Sequence, residues 1–171
     1  MSINDEPEFS VNAEIEYTGT QDNILEKLKE AVKGKVSRPT VTIELPERPG
    51  VSLRISPNIT QNQIKAWRRN SGEDSKQGLD TLKFAATVVG HTTTGIMFNG
   101  EVAKDDNGFD VTFASPQILE MLSAVRPIPD AVIAIFGLEP HVESAAVAIM
   151  EAAGYGDSVE TVDPTVRSST N

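Results

Sequence analysis

Val41-Thr42-Ile43-Glu44-Leu45, then Pro46-Glu47-Arg48-Pro49-Gly50, then Val51-Ser52-Leu53-Arg54-Ile55 is the stretch that decides the fold. In the first and last runs every second residue is apolar, the period of a strand that buries one face. The prolines and the glycine between them punctuate. The three runs together predict a two-stranded antiparallel hairpin with one apolar side. Such a side needs a cover, and the next residues supply one. Thr60 and Gln63 have the spacing of a capping box, and Ile59 with Ile64 that of a hydrophobic staple. A helix therefore leaves the hairpin at a fixed angle, with Ile64 and Trp67 inward and Lys65, Arg68 and Arg69 mostly outward.

Toward the amino terminus, Phe9, Val11, Ala13, Ile15 and Tyr17 alternate with polar residues, which predicts another half-buried strand. Ile24, Leu25, Leu28 and Val32 then recur at helical spacing up to Gly34, with Asp22 in front and Lys29 and Lys33 behind. Residues 1–37 read as a strand and an amphipathic helix that either folds back on the chain or serves as a docking arm. Toward the carboxyl terminus, Leu79, Leu82, Ala86 and Val89 predict a helix closed by Gly90 and His91. Asn99-Gly100 is a strong hairpin signal after Ile96, Met97 and Phe98, since both positions tolerate positive φ. Phe109, Val111 and Phe113 predict one more strand, and Ser115 with Pro116 the start of a short helix. Helices over Asp130–Phe136 and from Pro140 to Gly154 complete a helical second half. Residues 38–154 are thus an α+β core of antiparallel hairpins and short to medium helices. Residues 155–171 are expected to form a flexible, acidic tail.

Charge and composition narrow the partners. Fifteen basic residues against 25 acidic ones give a net charge of -10, which repels nucleic acid and anionic membranes alike. No apolar run is long enough to span a bilayer. The absence of cysteine removes disulfides, thiolate metal sites and thiol nucleophiles. Acidic residues near the start, where a secretory signal carries basic ones, point to the cytoplasm.

No catalytic constellation emerges. His91 and His141 stand far apart without metal-ligand spacing; His91 at a helix end is expected to favour its cationic form slightly. The run from Gly90 to Gly95 lacks the Gly-Lys-Ser/Thr ending of a phosphate loop and follows a helix instead of preceding one. Asp105, Asn107 and Gly108 would make a calcium loop with Ala103 in its first position and Ala114 in its twelfth, so a turn is expected there. The expectation is a protein with no catalytic residue, cofactor or metal, acting through contact with other proteins. Candidate contact residues are Trp67 and, on the small-residue helical faces, Ile133, Phe136, Val142 and Ile149.

Four stretches carry a family resemblance: Ile43–Ile55, Lys65–Gly72 with its Trp67-Arg68-Arg69, Phe113–Met121, and Pro127–Gly156 with its closing Ala-Ala-Gly-Tyr-Gly. In these the chain resembles the tail assembly chaperones of long-tailed bacteriophages that infect actinobacteria. The resemblance implies a protein in the cytoplasm of a bacterial host that binds the tape measure protein, shields its apolar helices, helps recruit major tail protein and is absent from the finished particle. Members of that family often come in two forms, the longer made by a translational frameshift marked by a Gly-Lys pair near the carboxyl terminus, and this chain departs from that pattern. Here the only such pair is Gly34-Lys35. The alternative is a structural virion protein, such as a head-to-tail connector or tail completion protein, which would use the hairpins to assemble a homo-oligomeric ring.

Overall fold

The computed structural model describes residues 23–156, so the strand expected over 9–17 and the tail beyond 156 lie outside the described residues. The chain divides into two compact units, Met1–Ser37 and Arg38–Asn171. In the first, helix α1 is described over residues 23–33 and stops at Gly34. Its polar side is tied along its length by Lys29–Glu26 (3.2 Å) and Lys33–Glu30 (2.7 Å). Its apolar stripe of Ile24, Leu25, Leu28 and Val32 is 55–75% exposed.

The second unit is α+β: an antiparallel four-stranded sheet, and helices concentrated in the carboxyl-terminal half. Strands β1 (Val41–Glu44) and β2 (Val51–Ile55) form the expected hairpin, with Val41 opposite Ile55 and Ile43 opposite Leu53. Its turn is closed by Leu45 N donating to Val51 O (3.1 Å) and Val51 N to Arg48 O (3.0 Å), with Gly50 at φ +84. The turn also does something the spacing did not reveal. Arg48 Nε donates to Ile135 O (3.1 Å), satisfying a carbonyl in the last turn of a distant helix where a cation is favoured.

Helix α2 (Gln61–Asn70) starts on the complete capping box, with Gln63 N donating to Thr60 Oγ1 and Thr60 N to Gln63 Oε1. Ile64 and Trp67 are buried, as the periodicity requires. Helix α3 (Thr81–Thr92) departs from expectation at both ends. Asp80 caps it by accepting from Lys83 N, which leaves Leu79 outside. Gly90 does not stop it: a Cβ at Gly90 would clash with Ile128 Cγ2, so this glycine is the place where a neighbouring chain segment approaches the helix. The helix runs on through His91 to Thr92, and β3 (Thr93–Phe98) follows with no loop. Buried Thr92 and Thr93 donate their hydroxyls to the carbonyls of Val88 and Val89 (both 2.7 Å), which lets polar side chains sit at this junction without cost in lost hydrogen bonds.

β3 pairs with β2, so the sheet order is β1-β2-β3-β4, with β4 (Glu101–Val102) short. The strand expected at Phe109–Phe113 is not one. Only an isolated bridge joins Lys104 and Asp110, while Val111 O accepts from Ile96 N and Val111 N donates to Ala103 O. Phe113 then turns into the core, fully buried, worth about 1.5–3 kcal/mol by area. Its alternation with Phe109 is accidental, for Phe109 is 69% exposed. Ser115 precedes α4 (Pro116–Met121), but its hydroxyl accepts from Thr112 N (2.9 Å) in place of capping the helix.

Helices α5 (Pro129–Phe136) and α6 (Glu139–Ala152) are separated by Gly137 in the left-handed conformation and bend by 112°. Both pack on α3, where Ala85, Ala86 and Gly90 permit close approach. No single helix among the described residues is long and apolar enough to cross a membrane. α6 ends in a Schellman motif: Tyr155 N donates to Met150 O and Gly154 N to Glu151 O, with Gly154 at φ +95. Tyr155, assigned to the tail from its polar surroundings, is tied back to the folded unit while staying exposed, for its hydroxyl donates to Ile59 O (2.6 Å).

Candidate functional site

Ionisable side chains in this domain are mostly held by structural partners. Arg54 on β2 reaches Asp110 (2.7 Å) and also donates to Thr94 Oγ1 and O, while Lys104 holds the second carboxylate oxygen. Those two cations keep the Asp110 carboxyl below its ordinary pKa. The cluster ties the irregular segment 104–110 to the middle of the sheet, and a carboxylate held ionised by two bonds is a poor proton carrier near neutrality. Asp130 likewise is held low, mainly by Arg126 N, with the Arg126 guanidinium adding to it.

The histidines go to separate surroundings. His91 stacks on Trp67, ring centroids 5.4 Å apart and planes 16° from parallel. Desolvation lowers its pKa, so the neutral form is favoured, the reverse of what its place at a helix end suggests. His141 is half-buried and its Nδ1 has no hydrogen-bond partner among the described residues. It lines a small hollow of about 230 Å³ with Ile43, Phe136 and Ala145. Among the described residues, no group of three or more His, Asp or Glu side chains gathers as a metal site would.

The basic residues of α2 are also engaged. Arg68 pairs with Glu73 (2.7 Å) and lies over the Phe84 ring (5.8 Å), and Arg69 stands 3.9 Å from Asp74. This acidic pair in the loop after α2 supplies a countercharge for the two arginines. Lys65 remains exposed.

Of the five candidate contact residues, four are interior. Phe136 is 1% exposed, Val142 and Ile149 are fully buried, and Trp67 is 8% exposed, while Ile133 is half-buried against the core. Their stripes face the chain's own sheet and α3, because a short helix buries its most continuous apolar face first.

The surfaces left for contact are others. One is the stripe of α1. A second is the outer edge of β1: since Leu45 bonds to Val51, the ladder pairs Ile43 and Val41 inward, which directs the main-chain groups of Thr42 and Glu44 away from β2. A third is a groove of about 380 Å³ between α3 and α6, floored by Ala85 and Ala146, walled by Phe84 and Met150, and closed at one end by Tyr155 and Gly156. Val147, 57% exposed, forms its lip, and Glu143 and Glu151 stand along its rim. Nothing in the sequence alone separated this groove from the core, because Phe84, Val147 and Met150 fall between buried positions.

The fold and its surfaces define an α+β domain with exposed apolar ground. No family model matches the chain, and neither a curated protein nor a solved structure matches it.

Proposed function

We propose that this chain is a non-enzymatic tail assembly chaperone of a long-tailed bacteriophage. It binds the tape measure protein in the cytoplasm of the bacterial host and helps recruit major tail protein. The sequence resemblance suggests the role, and one observation supports it most: the stripe of Ile24, Leu25, Leu28 and Val32 on α1 is exposed. A helical client with apolar faces is a natural cover for such a stripe. The surrounding lysines and glutamates keep the holdase itself soluble.

The test is co-expression. Tape measure protein made alone should partition into the pellet, and with this chain a substantial fraction should move to the supernatant and co-purify. Equal solubility with and without the chain refutes the proposal.

The edge of β1, unpaired among the described residues, favours a second reading, a structural virion protein whose copies continue one another's sheets around a ring. Mass spectrometry of purified particles separates the two. Presence at ring stoichiometry supports the virion component, and absence supports the chaperone.

A further inference from the structure

We infer that the groove between α3 and α6 is a docking site for a basic amphipathic helix of a partner protein. The inference deepens the chaperone reading and rests on it only for the source of that helix.

The shape sets the class of occupant. On α6, Glu143, Val147, Met150 and Glu151 follow one another at i, i+4, i+7 and i+8, so they form one stripe, and Thr81, Phe84 and Ala85 form the facing stripe on α3. The floor is Ala85 and Ala146, so the two helices stay close beneath and leave a shallow trough instead of a deep cavity. A trough of about 380 Å³ with apolar walls suits one or two large apolar side chains presented from a helix.

Charge chooses among the occupants. The two rim carboxylates are separated by eight positions of α6, roughly 12 Å along its axis. They match Lys or Arg two turns apart on a helix lying along the trough. Arg68, which stands over Phe84, is already paired with Glu73 and adds little net repulsion. The chain's own carboxyl-terminal segment starts beside the trough, but it carries Asp157, Glu160 and Asp163 against a single Arg167. It would set like charges beside Glu143 and Glu151. A second copy could offer α1, where Lys27, Lys29, Lys33 and Lys35 outnumber Glu26 and Glu30, but only by bringing together two chains of net charge -10 that repel over their whole surface. A basic helix from a different protein is the occupant that satisfies both walls and rim.

The experiment uses the full chain and a synthetic Leu/Lys amphipathic peptide of roughly 18 residues, about five turns, titrated by calorimetry, beside a counterpart with every Lys replaced by Glu. The basic peptide should bind saturably and the acidic one at least about tenfold more weakly. Val147→Glu, at an exposed lip, should weaken binding of the basic peptide about tenfold without lowering the thermal midpoint. The double variant Glu143→Lys and Glu151→Lys should do the same and should restore binding to the acidic peptide. Glu101→Lys with Asp106→Lys changes net charge equally, away from the groove, and should leave binding as in the parent. If the groove variants bind like the parent, or the distant pair weakens binding as much, attraction is general acidity and the inference is wrong. A dimer of the parent that dissociates on Val147→Glu would assign the groove to a second copy and overturn it as well. Co-expression separates this inference from the chaperone role. If the groove variants bind the basic peptide like the parent while the parent still solubilises the tape measure protein, the groove is wrong and the chaperone stands. If the peptide results hold but the parent never solubilises that protein, the chaperone role is wrong and the groove stands.

Discussion

Ile24, Leu25, Leu28 and Val32 recur along α1 at nearly the spacing that Val142, Ala145, Ala146 and Ile149 follow along α6. The first set is 55–75% exposed, however, and the second is 7% exposed or less. Periodicity determines which residues share a face of a helix; it does not determine what covers that face. The two stripes differ in bulk. α6 offers alanines, which let it lie against Ala85 and Ala86 of α3, whereas α1 offers only branched chains larger than alanine. Small residues suit a close helix pair within one core, and large ones suit a partner with a groove or an apolar face of its own.

The largest effects should come from the buried side of this comparison. Phe136→Ala should destabilise the domain by about 3–5 kcal/mol and Ile149→Ala by about 2–5 kcal/mol, since both leave cavities among fully packed neighbours. Urea unfolding followed by circular dichroism should show a lower midpoint at unchanged slope. Gly90→Ala comes next. The added methyl meets Ile128, and overpacking of about 1–3 kcal/mol outweighs the gain of roughly 1 kcal/mol in helix propensity. Ile128→Ala in the same chain should remove most of the Gly90→Ala penalty, and a double-mutant cycle without such coupling would mean that Gly90 is not a contact point. Thr60→Ala, which breaks the capping box at an exposed helix start, should cost about 1 kcal/mol.

The order of these effects also sorts what was legible in the chain. The β1–β2 hairpin, the Thr60 cap and the glycine after α5 follow from contacts within a few residues, so local spacing carries them. What was not legible depends on elements far apart in the chain. Gly90 has the signature of a helix stop, yet Ile128 explains it. Phe109 and Phe113 share an alternating pattern, yet the Arg54–Asp110 pair and the backbone bonds of Val111 settle that segment as irregular. Trp67, Phe136, Val142 and Ile149 stood out as contact residues because they are large or regularly spaced and apolar. The same property draws them inside once a sheet is available to cover.

Acid should act through His91 and Asp110. Both have folded-state pKa values below their ordinary ones, 6.5 and 3.8. For each group, between its lowered folded pKa and its ordinary one, the unfolded chain binds more protons than the folded one. Stability is therefore kept above the ordinary pKa and lost as pH falls through the folded one. His91→Gln should flatten the decline that begins below about 6.5, and Asp110→Asn the decline at lower pH. Midpoints that fall equally in parent and His91→Gln between neutrality and the carboxylate range would mean the Trp67 stack does not desolvate the imidazole.

The smallest effect on stability belongs to α1, and there it discriminates most. Leu25→Ser with Leu28→Ser removes half of the exposed stripe. The unfolding free energy of the domain should change by no more than about 0.5 kcal/mol, as for exposed substitutions in general. In co-expression, by contrast, the soluble fraction of tape measure protein should fall toward its level without the chain. Stability kept and client lost would establish that two stripes of like periodicity serve opposite ends. A midpoint lowered as far as by Ile149→Ala would show that α1 buries its stripe at home, and the contrast between the helices would vanish.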